Sequence, residues 1–290
     1  MGKQLKVLML GAHLDDNDFC GGGIALKYLE RGHRVRFLSM CNGCGGHHEL
    51  KPEEIAARRY QEAQAVAKLT GIEYDVWDIN DCEIVADLET RKKLIRYIRE
   101  YDPDIVFTHR TNDYHADHRN AGLLVQDASY LLIVPNFCPE VPAMKDMPVI
   151  MYYRDKFKYP PFEPDVAIDI DDVIDKKFDM FNCHVSQVYE WLPYTHGEID
   201  QVPKDEKERL EWLRSPRLPR DRVLSLAELT EKTWLNHNEY REGIYAAMYR
   251  DKLIDRYGEQ GKKTIFAEVF QLCEYGRQPS KEYMKELMPF

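Results

Sequence analysis

Hydrophobic and polar positions along the first 110 residues predict strands and helices that follow one another. Short apolar runs of strand length are separated by longer stretches in which apolar residues recur every three to four positions. The predicted strands are KQLKVLMLGA, VRFLSMC, YDVWDI and DIVFTHR, and the predicted helices are GGGIALKYLERGH, PEEIAARRYQEAQAVAKLTGI and ETRKKLIRYIREYDPD. This alternation favours parallel βαβ units with right-handed crossovers. We therefore predict an α/β protein with a Rossmann-like, mostly parallel sheet flanked by helices.

The pattern changes in the second half of the chain. Residues 135–165 are rich in proline and aromatic side chains, which is typical of a long surface loop or lid, and DVAIDIDDV predicts one more strand and a turn. Beyond about residue 200, charged and helical-looking stretches dominate, such as DEKERLEWLRS and AELTEKTWLNHNEYREGIYAAMYRDKLIDRYG. We expect residues 1–200 to form one domain. Residues 201–290 are then a helical C-terminal extension packed on it or contiguous with it.

Composition narrows the class of protein. The chain is 44% hydrophobic and 31% charged, which excludes disorder as the main description. Its formal net charge of −10 argues against a nucleic-acid partner or an anionic membrane surface, because either needs a basic patch. No apolar run reaches the roughly 18 residues of a membrane span, and the start does not resemble a signal peptide. The seven scattered cysteines favour reduced thiols. We expect a cytoplasmic protein.

Two clusters of polar residues follow predicted strands. The first supplies His13, Asp15, Asp16 and Asp18, and the second supplies Asp113, His115, Asp117 and His118. Ligands in such sheets sit beyond the carboxyl ends of the strands, so both clusters are expected to share one crevice. Crowded carboxylates repel one another and are costly to bury, and a divalent cation would neutralise them. Two histidines and one aspartate with an open position are a hydrolytic zinc pattern, in which the metal lowers the pKa of a water to ~7.

Four short segments resemble motifs of one known family. Ala12-His13-Leu14-Asp15-Asp16 resembles the AHPDD signature of the LmbE/PIG-L family of zinc-dependent N-deacetylases, and His115-Ala116-Asp117-His118 resembles its HPDH signature. Two further segments are similar to a helix and to a later element of the family: Arg59-x-x-Glu62 with Leu69-Thr-Gly71, and His184-x-Ser186-Gln187. The matches come in family order and cover about residues 1 to 197. Leu14 and Ala116 replace two prolines, and Asp18 stands where the family often has Glu.

The resemblance implies a role for each matched residue. His13, Asp16 and His118 would bind one zinc ion per chain, and Asp15 would be the general base on the zinc-bound water. His115 would stabilise the tetrahedral intermediate and protonate the departing amine, with Asp117 orienting it.

Three further residues are candidates for substrate binding. Arg59, on the second predicted helix, could reach the crevice to bind substrate or could simply be solvated, and the same holds for Arg110 after the fourth strand. His184 either lines the site or is a core histidine.

The resemblance also implies a function. Family substrates are mostly N-acetylated amino sugars and their conjugates, so it implies a metal-dependent hydrolase that removes an N-acetyl or N-acyl group from such a small molecule. Family relatives are often trimers or hexamers, and we expect a homo-oligomer. Two alternatives stay open: a zinc hydrolase of another amide, carbamoyl or ester, and a non-catalytic carbohydrate-binding protein on the same fold.

Two further segments contain glycines or cysteines that could indicate a nucleotide-binding loop or a second functional site. Gly21-Gly22-Gly23 lacks the GxGxxG order of a dinucleotide loop, and nearby carboxylates would repel a pyrophosphate. Cys41-Asn42-Gly43-Cys44 could be redox-active or a second metal site, but no matching cysteine pair follows it. We interpret it as a loop.

Overall fold

A seven-stranded sheet organises the part of the chain that the structure describes, with the strand order β3-β2-β1-β4-β5-β7-β6. The computed structural model describes residues 3–214, 218–230 and 238–290. The strands are β1 (Lys6–Gly11), β2 (Arg34–Cys41), β3 (Glu73–Ile79), β4 (Ile105–Thr108), β5 (Val149–Tyr153), β6 (Val166–Asp169) and β7 (Ala267–Leu272). The helices are α1 (Asp16–Glu30), α2 (Pro52–Thr70), α3 (Leu88–Tyr101), α4 (Ala116–Ser129), α5 (Ile174–Cys183), α6 (Leu192–Thr195), α7 (Glu206–Arg214), α8 (Leu226–Thr230), α9 (Asn238–Met248), α10 (Arg250–Tyr257) and α11 (Lys281–Leu287), with a π-helical turn at Gln187–Trp191.

The predicted α/β fold is confirmed. Strands β1 to β5 pair in parallel, and the apolar residues 7–10 of β1 have no exposed surface because helices cover both faces of the sheet. The chain runs from β1 outward to β3 and then returns to place β4 on the other side of β1. The strand order therefore reverses between β1 and β4, and loops that leave the carboxyl ends of these two strands face a common crevice.

Two strands lie where the sequence pattern did not predict them. The interpretation of residues 135–165 as a loop is wrong at β5, a five-residue buried run flanked by prolines that pairs with β4. The wholly helical interpretation of the C-terminal part is wrong at β7, which lies antiparallel between β5 and β6. Helices α7 to α10 confirm its helical portions, while residues 215 and 231–237 of the two predicted helical stretches lie outside the described residues. The domain boundary near residue 200 stays a prediction.

A buried network of charged residues ties β7 to α1. Glu268 of β7 accepts hydrogen bonds from the backbone N–H groups of Gly23 (2.8 Å) and Ile24 (2.7 Å). Lys177 donates to Glu268 (2.5 Å) and to Glu242 (2.9 Å), and none of these three side chains has exposed surface. A Cβ atom on Gly23 would lie 2.9 Å from a Glu268 oxygen, so glycine permits this close approach. The helix that follows β1 is thus held by the C-terminal part of the chain.

Candidate metal centre and active site

His13, Asp16 and His118 converge at the carboxyl ends of β1 and β4. His13 lies in the loop after β1, Asp16 is the first residue of α1, and His118 lies in the first turn of α4. His13 Nδ1 is 3.2 Å from His118 Nε2 and 3.5 Å from Asp16 Oδ2, and His118 Nε2 is 3.4 Å from Asp16 Oδ1. A tetrahedral zinc with ligands at about 2.0–2.2 Å separates its ligand atoms by roughly 3.3–3.6 Å. The three side chains therefore have the spacing of a metal-ligand set.

The other ring nitrogen of each imidazole faces a carboxylate. His13 Nε2 is 3.1 Å from Asp117 Oδ2, and His118 Nδ1 is 3.0 Å from Asp113 Oδ1. In the neutral imidazole, a carboxylate at this position holds the proton on the nitrogen that it faces and leaves the lone pair on the other nitrogen, which points toward the remaining candidate ligands. Burial lowers the pKa of both imidazoles, but their carboxylate neighbours outweigh it and raise the pKa to about 9 for His13 and about 10 for His118. The carboxylates around the two imidazoles therefore favour a positive charge at this site.

His109 packs against the candidate metal-ligand set, and the sequence analysis did not identify it. Its Nε2 is 3.1 Å from Asp16 Oδ2, and its ring stacks on that of His118 with 4.0 Å between centroids. Burial raises the pKa of Asp16, but His118 and His109 outweigh this effect and hold it well below its usual value. His109 directly follows β4, so its position at the carboxyl end of a predicted strand was the signal available in the sequence.

A cavity of about 420 Å³ contains most of the predicted site. Its lining includes six of the predicted residues: His13, Asp15, Asp16, Arg59, His115 and His118. The buried Arg59 donates to Asp15 Oδ1 over 3.0 Å, so this arginine positions the predicted base as well as facing the cavity. The remaining wall includes the aromatic side chains of Phe19, Tyr114 and Trp191. The structure thus brings the ligand set, the predicted base and the predicted acid to one cavity.

Arg110 and His184 do not line this cavity. Arg110 is 3.0 Å from Asp155 and donates to the Pro160 carbonyl, and it lines a separate cavity of about 530 Å³. His184 has no exposed surface, and its Nε2 is 3.3 Å from the buried Asp18. The structure therefore places Arg110 outside the cavity and His184 in the core. Their assignment to substrate binding has no support from this geometry and stays a prediction.

Asp117 lies closer to His13 than to His115. It has no exposed surface and accepts from the backbone N–H groups of Cys82 (2.7 Å) and Ile84 (3.2 Å). Burial raises the pKa of Asp117, but the hydrogen bond with His13 and these N–H groups lower it to about 2. Its Oδ2 is 3.7 Å from His115 Nδ1, beyond hydrogen-bond distance. The carboxylate therefore orients His13 directly.

His115 is positioned by the start of α4. It is the N-cap residue of that helix, and its Nδ1 accepts from the backbone N–H of Asp117 over 3.2 Å. A neutral imidazole that accepts at Nδ1 carries its proton on Nε2. Burial lowers the pKa of His115, so the neutral form with this tautomer is favoured. In this form the Nε2–H group can donate a hydrogen bond to substrate, and a second proton on the ring would make the residue a general acid.

Comparisons with known proteins agree with the fold and with the motifs. The family model described as "PIG-L: GlcNAc-PI de-N-acetylase" matches residues 8–129. The chain is 31% identical over 205 residues to diacetylchitobiose deacetylase of Thermococcus kodakarensis, covering 65% of this chain and 74% of the relative. It is also 26% identical over 206 residues to 4-oxalmesaconate hydratase of Pseudomonas putida, covering 68% of this chain and 80% of the relative.

Solved structures show the same architecture. The N,N'-diacetylchitobiose deacetylase from Pyrococcus horikoshii superposes with a TM-score of 0.66 at 22% identity, covering 96% of this chain and 88% of that one. At this identity the likeness shows the fold, and the Thermococcus relative and the motifs identify the family. The chain belongs to the LmbE/PIG-L family.

Proposed function

We propose that the protein is a zinc-dependent hydrolase that removes an N-acetyl or N-acyl group from an amino sugar or an amino-sugar conjugate. The observation that carries the proposal is the ligand set of His13, Asp16 and His118, whose donor atoms are 3.2–3.5 Å apart in the cavity that also contains Asp15 and His115. The deacetylase relative at 31% identity supports the reaction class. Imidazole and carboxylate donors suit zinc among the divalent ions.

The chain's own residues supply the proton transfers. A bound zinc ion would polarise the acyl carbonyl and lower the pKa of an attacking water to ~7. Asp15 accepts a proton from that water, and its bond with Arg59 occupies only Oδ1, leaving Oδ2 for the proton. The water oxygen joins the acyl carbon, the C–N bond breaks, and the departing nitrogen takes a proton from the imidazolium form of His115, which returns to the neutral imidazole. Each such transfer contributes roughly 10²–10⁴-fold to the rate. The products are a carboxylic acid and a free amine.

Metal content and acetate release test the proposal together. We expect near one zinc per chain in the purified protein, lost in His118→Ala, and acetate release from N-acetylated amino sugars such as diacetylchitobiose. Asp15→Asn is expected to keep its metal and to lose about 100-fold or more of the turnover. Asp200→Asn, an exposed aspartate outside the cavity, is the matched control. Full turnover in Asp15→Asn would show that Asp15 is not the base.

A hydratase is the second candidate, because the hydratase relative is matched over 80% of its length. The same base and acid could add water across a carbon–carbon double bond of a carboxylated substrate. Loss of absorbance from a conjugated substrate, without release of an acid or an amine, would favour this reaction.

Other predictions from the sequence also remain open. Product analysis across acyl types would separate an amidase from a carbamoyl or ester hydrolase, and a carbohydrate-binding protein would retain sugar without turnover. The homo-oligomer and the cytoplasmic location stay predictions. Among the described helices, none is both long and apolar enough to cross a bilayer.

A further inference from the structure

Cys82 brings a thiol to the edge of the candidate active site. It follows β3 and adopts a left-handed backbone conformation, with φ of 69°, in which its N–H binds Asp117. Its exposed side chain lines the same cavity as His115. One donor atom from each of Cys82, His115 and Asp117 lies within 4.8 Å of the other two. Three ligand types are therefore gathered beside the first ligand set.

This second set lies on the other side of the His13 ring. His13 presents Nδ1 to Asp16 and His118, whereas its Nε2 faces Asp117 at 3.1 Å. Unlike the first ligand set, the second contains a sulfur atom, and thiolates select soft or borderline cations such as Zn²⁺ and Cd²⁺. Asp81 lines the same cavity, so a further carboxylate contributes negative charge to this side of it.

We propose that Cys82, His115 and Asp117 form a second cation site, and that a thiophilic divalent ion bound there inhibits the enzyme. The Cys82 thiol releases its proton to solvent, and the thiolate sulfur, a His115 nitrogen and an Asp117 oxygen each donate an electron pair to the ion. The inhibitory part rests on the proposed function, because a His115 that binds the ion through one ring nitrogen cannot take up the second proton that it would pass to the departing amine.

A neighbouring set competes with this assignment. His13, Cys41 and Asp81 also offer donor atoms within 4.8 Å of one another, and Cys41 Sγ is 3.6 Å from Asp117 Oδ2. That set needs His13, which the first site already uses, and its cysteine is buried, whereas Cys82 is exposed. We therefore favour Cys82 and make Cys41 an outcome of the test.

The experiment adds Cd²⁺ to the metal-loaded protein and uses two measurements that do not depend on turnover. The first is the ultraviolet charge-transfer band of a cadmium thiolate. The second is the alkylation rate of each cysteine by peptide mass spectrometry, with metal analysis to verify that the resident ion stays. We expect Cd²⁺ to protect Cys82 and to produce a band that Cys82→Ser abolishes. Cys44→Ser and Cys41→Ser are the matched controls and are expected to keep it.

Inhibition is measured separately, against each variant's own activity without cadmium. Cys82→Ser retains the backbone N–H that binds Asp117 but loses the thiolate, so we expect its inhibition constant to rise by about 10–100-fold, as for the loss of other metal-site contacts. A band lost in Cys41→Ser instead would overturn the assignment, as would the absence of any band and of any protection. A protein that binds cadmium at Cys82 but releases no acid would contradict the proposed function and not the site.

Discussion

The carboxylate behind His118 should control how tightly the protein holds its metal. Asp113 Oδ1 lies 3.0 Å from His118 Nδ1, and its side chain is only 11% exposed, so solvent screens the interaction weakly. Changing such a partner of a metal ligand typically lowers metal affinity by about 10–100-fold, or about 1.4–2.7 kcal/mol. Asp113→Asn keeps an acceptor oxygen, so its metal affinity should be lower by about tenfold. Asp113→Ala leaves the imidazole nitrogen without its partner, so its metal affinity should be lower by about 100-fold.

The assay is an equilibrium competition for Zn²⁺ between the protein and a chelator at fixed pH and ionic strength. Asp87→Asn is the matched control, because Asp87 is the exposed N-cap of α3, accepts from Thr90 N–H, and does not line the cavity. Because Asn caps a helix about as well as Asp, this variant should change neither the stability nor the metal affinity measurably. Wild-type affinity in both Asp113 variants would refute the reasoning that this carboxylate orients His118.

Three further predictions concern the metal site and its supports. The pKa values of His13 and His118 are raised to about 9 and about 10, so metal uptake must displace their protons. Metal affinity, measured by chelator competition, should therefore rise at least tenfold per pH unit from pH 6 to 8. A plateau above pH 7 would contradict this. Lys177→Met leaves the buried Glu268 without its cation and removes one cation from Glu242, which also lies 3.3 Å from Arg154. It should cost about 3–5 kcal/mol in urea unfolding, whereas the partly exposed Lys176→Met should cost little. Gly122→Ala would place a Cβ 2.5 Å from the backbone carbonyl oxygen of His109, just beyond β4. It should lower the free energy of unfolding by about 1–3 kcal/mol and weaken metal binding. An unchanged urea midpoint would contradict this prediction.

Periodicity predicted the parts of the fold whose causes are local. Strands β1 to β4 have apolar runs bounded by turn residues, and α2 has Pro52 at its start and Gly71 at its end. β7 escaped prediction because Glu268, a charged residue with no exposed surface, interrupts its apolar pattern. Its partner Lys177 lies 91 residues away, and no local signal announces such a pair. β5 escaped because the prolines around it are typical of loops.

The candidate site, like the fold, has parts that the sequence could predict and parts that it could not. The ligand set could be predicted because its residues lie in two short motifs after strands. Contacts that depend on packing between separate elements could not be predicted. His109 stacks on His118 from the end of β4, and Arg59 donates to Asp15 from α2. The sequence also could not show that Arg110 faces a different cavity, because that depends on its pairing with Asp155. Distances between side chains on separate elements follow from the assembled sheet.

The position of β7 has a consequence for the order in which the molecule can be completed during synthesis. β7 fills the gap between β5 and β6, yet more than 90 residues separate it in sequence from both strands. Until the ribosome has released it, β5 and β6 each present an unpaired edge, and the backbone N–H groups of Gly23 and Ile24 lack the Glu268 carboxylate. The helix that begins with Asp16, a predicted metal ligand, is therefore among the last parts to gain its full support. A nascent chain that stops short of β7 contains every predicted ligand but lacks the framework that holds one of them in place.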